Sequence, residues 1–280
     1  MQTSESPTSF TQESRFGMPL AEQLWWLSAA AFFVIFAAML ALSLVDIRSL
    51  DGANVWAKPM KFSISIALHL ATLAGAMYFL SASMQTNAVV TGLAITSVIA
   101  ALGEVGYITI QAARMEASHF NIGTPFHAAM YSVMAFGAVV LVIAAAGVGL
   151  AVAADGQSSL SAPVRLAVSI GLIGGTILTL ITAFRLGGNI SHHVGVEAAG
   201  ALRMPVTGWS LTVGDLRPAH FLATHMMQAV PVFGIVAARV LPSGAAVAAV
   251  LLAAVAWTAA TVVVYTIGVS GRSLTTLIGQ

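Results

Sequence analysis

The stretch PFHAAMYSVMAFGAVVLVIAAAGVGLAVA, residues 125–153, decides the fold. It contains no Asp, Glu, Lys or Arg. A helix rises about 1.5 Å per residue, so about 20 residues cross a hydrocarbon core of about 30 Å, and this run exceeds that. Its apolar residues are continuous rather than alternating, which favours a helix over a barrel strand. Working outward, six further runs read the same way, at about 22–45, 59–82, 88–114, 164–185, 218–240 and 244–268. The expected fold is therefore all-α: a polytopic integral membrane protein, one bundle of seven transmembrane helices over 18–280. Gly, Ala and Ser recur along the spans, as close packing of transmembrane helices requires.

Composition agrees. Of 280 residues, 58% are hydrophobic and 8% charged, against about 25% charged in a soluble domain. Most of the surface must face lipid, so the bilayer is the first expected partner. Eleven Lys+Arg against ten Asp+Glu leave no basic footprint for nucleic acid. The absence of cysteine excludes disulfides, thiolate zinc sites, Fe–S clusters and covalently attached haem. Residues 1–17 (MQTSESPTSFTQESRFG) are polar, lack the pattern of a signal peptide and are expected to form a disordered tail.

Seven spans put the termini on opposite sides. One end collects the loops 46–58, 115–124 and 186–217 and the C-terminus, with Arg48, Lys58, Lys61, Arg114, Arg185, Arg203, Arg217 and Arg272. The other holds Arg15, Arg165 and Arg239. Eight against three makes the first end cytoplasmic by the positive-inside rule. This predicts a multi-pass protein of the inner (cytoplasmic) membrane, N-terminus outside and C-terminus in the cytoplasm. Trp25 and Trp26 at one end, and Trp56 and Trp209 at the other, read as interfacial belt residues.

Few polar residues lie inside the spans, and each needs a reason. At 100° per residue, Ser97, Glu104, Tyr107, Gln111 and Arg114 share one face of the third span. Lys61, Ser65, His69 and Thr72 share a face of the second, and His220, Thr224, His225 and Gln228 lie within a broader arc on the sixth. Such stripes are expected to face the bundle interior. By helical rise, His69, Glu104 and His225 sit roughly 10–15 Å in from the same end. His119, His127, His192, His193 and His220 form a shallower layer there, so all seven histidines belong to the cytoplasmic half. The connection 186–217 carries Trp209, two histidines and several glycines, and is expected to be an ordered lid or re-entrant segment.

Glu104 is the one acidic residue deep in a span, and a buried carboxylate needs a partner, a metal or a proton. Three functions follow. The first is a membrane metalloprotein, an enzyme that oxidises or hydrolyses a lipophilic small molecule. His119, His193, His220 and His225 would bind a transition metal, zinc or iron, with Glu104 as ligand or general base. Arg114, Asp215 and Arg217 would orient the substrate or complete the catalytic set. The second is electron transfer through haem b, with His69 and His225 as axial ligands at one depth. The third is a proton-coupled transporter or sensor, with Glu104 and His69 relaying protons while Arg114 and Arg217 receive an anion.

Seven helices, histidines at the cytoplasmic side and Ser65-x-x-x-His69 loosely resemble the adiponectin-receptor and alkaline-ceramidase superfamily, whose members are zinc-dependent lipid amidases. That family's last-helix His-x-x-x-His pair is missing here, the nearest match being His220-x-x-x-x-His225 on the sixth span. The resemblance covers two short patches and carries no activity over to this chain.

Overall fold

A computed structural model describes residues 17–50 and 52–279. Apart from Gly17, the tail expected over 1–17 lies outside the described residues. Among the described residues, seven helices are long and apolar enough to cross a membrane. They are α1 (Leu20–Val45), α2 (Ala57–Met77), α4 (Ala88–Ala113), α5 (Pro125–Ala154), α6 (Ala162–Gly188), α7 (Arg217–Val240) and α8 (Ser243–Val269). A four-residue helix, α3 (Ala82–Gln85), stands between α2 and α4. A 3-10 helix, Leu274–Ile278, follows α8. The hairpin β1 (Ser49–Leu50) and β2 (Ala53–Asn54) joins α1 to α2. The ladder of β3 (His193–Val194) and β4 (Gly214–Asp215) braces the connection from α6 to α7.

The helices pack as one bundle. α1 lies against α2 and α4, α5 bridges α4 and α6, and α7 is held between α6 and α8. Trp25, Phe32, Leu70, Leu73, Met77, Val148 and Leu172 fill the main core. A smaller core of Ala167, Met226, Val230 and Val250 ties α6, α7 and α8 together. Glycine makes the α6–α7 approach possible. A Cβ on Gly171 would lie 2.4 Å from Pro231 Cδ, and one on Gly234 would lie 2.1 Å from Ala167 Cβ. Small residues substitute for the hydrophobic drive that is missing between helices in lipid.

The second span departs from expectation. It ends at Met77 rather than near 82, because partners distant in sequence intercept the chain there. Asp155, at the end of α5, accepts from Ser81 N at 2.6 Å and Ser81 Oγ at 2.9 Å. Arg165 completes this clasp by donating to the carbonyls of Val152, Asp155 and Ser158, which satisfies carbonyls left unpaired at the helix end.

Two tryptophans also differ. Trp25 is fully buried, its Nε1 donating to Ser97 Oγ at 3.0 Å and so joining α1 to α4. Trp56 is buried with Nε1 donating to Asp46 Oδ2 at 2.8 Å. Both are packing residues rather than belt residues, while Trp26 is exposed.

Candidate functional site

Of the polar stripe expected to face inward on α4, Ser97, Glu104 and Gln111 are buried, Tyr107 is half-buried and Arg114 is exposed; on α2 the expected stripe splits, with His69 buried but Lys61 and Ser65 exposed. Glu104 fits against α5 at a notch. A Cβ on Gly137 would lie 2.8 Å from Glu104 Oε1, so only glycine leaves this carboxyl its place. Among the described residues, Glu104 Oε1 has no hydrogen-bond partner. The Tyr107 hydroxyl, one turn further along α4, is likewise buried without one.

Above this level, at the end that collects the polar loops, aromatic and imidazole rings form a row. Phe62 lies 5.5 Å from His119, His119 6.3 Å from Tyr131, Tyr131 5.8 Å from Phe120, and Phe120 5.0 Å from His192. Phe120 reaches its place with φ +59°, a left-handed conformation that costs a bulky residue about 1–3 kcal/mol. Lys58 stands over the Phe62 ring at 6.0 Å. Burial, then the charges of Lys58 and His192, pushes the His119 imidazole down to about 3. Burial, then Arg217 and Lys58, pushes His192 down to about 3 as well. Both rings are therefore neutral imidazoles near neutral pH.

The connection between α6 and α7, residues 189–216, folds back over this end as a strap. Its β3–β4 pairing sets His193 opposite Asp215. Gly214 permits the pairing to seat on α8, since a Cβ there would lie 2.2 Å from Gly268 O. Asp215 takes Arg217 in a forked pair, Nη2–Oδ2 at 2.5 Å and Nε–Oδ1 at 2.9 Å. Burial raises the Asp215 carboxyl, but the Arg217 guanidinium and the backbone N–H groups of Ser210 and Arg217 outweigh it and hold it below the ordinary carboxylate range. Arg217 Nη2 also donates to Gly208 O at 2.8 Å and lies 3.3 Å from His193 Nε2. His193 Nδ1 sits 3.7 Å from Glu197 Oε2, which pairs with Arg203 Nη2 at 2.5 Å.

The remaining predicted residues are engaged elsewhere. His220 Nδ1 shares a hydrogen bond with Thr182 Oγ1 at 3.0 Å, joining α7 to α6. His225 Nδ1 meets Gln228 Oε1 at 3.2 Å, and Gln228 Nε2 donates to Thr72 Oγ1 at 3.0 Å, joining α7 to α2. His69 Nε2 binds Leu141 O at 3.0 Å. His127 Nε2 bonds Glu116 Oε2 at 3.1 Å, and Arg114, largely exposed, pairs with Glu116 at 3.0 Å. The structure thus joins His193, Asp215 and Arg217, and sets His119 with His192. It gives His220, His225, His69 and Arg114 separate partners. Among the described residues no three His, Asp or Glu side chains gather as metal ligands.

Sequence reasoning passed over Phe62, Phe120, Glu116 and Glu197. Phe120 had a local signal, lying directly after His119 in SHFN, and Glu197 stands four residues after His193. No family, curated protein or solved structure matches this chain.

Proposed function

We propose that this integral membrane protein exchanges a proton, carried by Glu104, with a lipophilic small molecule received at the polar-loop end. The observation that carries this reading is the Glu104 carboxyl, buried on Gly137 with Oε1 unpartnered among the described residues. A buried carboxylate needs a partner, a metal or a proton, and the proton is the choice that requires no further group. The neutral imidazoles of His119 and His192 lie toward the strap and suit relay or hydrogen bonding to a polar substrate end. The polar-loop end is proposed to face the cytoplasm, from its excess of Lys and Arg. Titrating folded wild-type protein against Glu104→Gln tests the reading. A difference of one exchangeable proton supports it, and identical titrations overturn it.

A zinc or iron centre is a second proposal. In its favour, two neutral imidazoles, His119 and His192, flank the Phe120–Tyr131 pair. Catalytic zinc uses three protein ligands, one more than this pair supplies. Stoichiometric metal in protein purified from metal-replete cells would restore it, and metal-free protein would remove it. Haem b between His69 and His225 fits less well, because His69 Nε2 is taken up by the Leu141 carbonyl.

A further inference from the structure

α2 and α7 approach each other along one side of the bundle. α2 packs chiefly on α1, α4 and α5, and α7 on α6 and α8, so the junction where Gln228 of α7 meets Thr72 of α2 is a thinly packed seam. Lys61, Ser65, Leu68 and Thr72 run down one face of α2, the first three of them exposed. Phe221, His225 and Gln228 run down the facing side of α7. Hydrogen bonds cross the seam at two levels. Gln228 Nε2 donates to Thr72 Oγ1 within the bundle, and Lys61 Nζ donates to Thr207 O of the strap at 3.0 Å.

The strap end of the seam brings two basic side chains together, Lys61 and Arg217. They donate to the carbonyls of two consecutive strap residues, Thr207 at 3.0 Å and Gly208 at 2.8 Å. Arg217 is balanced by Asp215 through its Nε and Nη2 edge. Lys61 bonds a carbonyl and pairs with no carboxylate among the described residues. An ammonium has three protons to donate. Lys61, exposed and without a carboxylate, is the uncompensated cation at the head of the seam, and with the paired Arg217 beside it this end suits an anion.

An apolar groove adjoins this pair. Thr207, which receives Lys61, and Gly208, which receives Arg217, lead directly to Trp209. Trp209 lines a groove of about 220 Å³ with Phe221, Leu222, Val264 and Leu274. The Trp209 and Phe221 rings lie 5.5 Å apart, and Phe221 lies 4.1 Å from His225. Charge and apolar surface are therefore contiguous, at the edge of a bundle that crosses a bilayer.

We infer that an amphiphile with one anionic headgroup, drawn sideways from the bilayer, binds with its headgroup on Lys61 and Arg217 at the head of the seam and its hydrocarbon chain in the adjoining groove along Trp209 and Phe221. This rests on the reading of a lipophilic substrate and names its class. The test is native mass spectrometry of the full chain released from phosphatidylcholine nanodiscs that contain a minor fraction of phosphatidylglycerol. Phosphatidylglycerol is expected to be retained over phosphatidylcholine. Lys61→Gln is expected to cut that retention about tenfold, as loss of one charge-assisted contact does, and Lys61→Arg to keep it. Arg48→Gln, at the same end but paired with Asp46, is expected to leave retention unchanged. Glycerol phosphate, a headgroup without a chain, is expected to compete poorly. Equal retention of the two lipids overturns the inference, as does equal loss in the Lys61 and Arg48 variants. Competition by glycerol phosphate at the lipid's own concentration also overturns it. Should Lys61→Gln fail to fold, the wild-type preference between the two lipids decides. None of these readouts involves Glu104, so failure here and failure of the proton reading are distinguishable.

Discussion

Glu104 Oε1 occupies the space that a side chain on Gly137 would fill, at 2.8 Å from the position of that missing Cβ. One helix thus supplies a carboxyl and the next supplies the notch that holds it. Gly137→Ala is expected to push the carboxyl aside and leave the helices in place, because the atom that must yield is the far end of a flexible side chain. Its cost should fall at the low end for overpacking, about 1 kcal/mol. Thermal unfolding in detergent checks the stability, and proton titration checks that Glu104 exchange is altered.

Gly234 gives the contrast. A Cβ there meets Ala167 Cβ at 2.1 Å and Val250 Cγ2 at 3.3 Å, and Ala167 has no flexible end to move. Gly234→Ala should therefore separate α6 from α7 at a cost of about 3 kcal/mol or more. The same unfolding measurement should place it far below Gly137→Ala.

The strap depends on Asp215. Asp215→Asn removes the charge that holds Arg217 in its fork and leaves a half-buried guanidinium without a carboxylate. Because the Arg217 side chain is 25% exposed to solvent, the loss should be about 1–3 kcal/mol, below that of a fully buried pair. Limited proteolysis should then cut within 195–207, where Val196 and Val206 are already exposed, well before the helices unfold.

Stability should fall with acid, and the sign follows from His119 and His192. Each is neutral in the folded protein down to about pH 3, while in the unfolded chain it charges below 6.5. The unfolded state binds the extra protons in that window, so stability rises from about pH 3 to 6.5 and then levels off. Each imidazole contributes up to about 1.4 kcal/mol per pH unit there. The lowered carboxyls of Asp215 and Glu116 act in the same direction below their ordinary values of 3.8 and 4.5. Their stabilisation is present above those values and lost as pH falls through the folded ones. A His119→Asn/His192→Asn double variant should show a flatter melting temperature between pH 6.5 and 5, read by thermal scans across buffers.

The spans were legible because lipid demands long continuous apolar runs, and the inward stripe of Ser97, Glu104 and Gln111 was legible because each polar residue in such a run needs the interior. What the sequence hid was azimuth and partnership. Helical rise gives the depth of His69 and His225, but it does not reveal that one binds the Leu141 carbonyl and the other Gln228. Trp25 and Trp26 are neighbours in sequence, yet only Trp25 faces Ser97. The end of α2 depended on Asp155, more than seventy residues away in sequence.

On the proposed reading, the Glu104 carboxyl holds an exchangeable proton. Infrared difference spectra of the purified protein, recorded across the pH range in which it stays folded, test this most directly. The account predicts a carboxylic-acid C=O band that changes with pH, shifts in D₂O and is absent from Glu104→Gln. Spectra in which wild type and Glu104→Gln coincide throughout the carboxylic-acid region at every pH would contradict it.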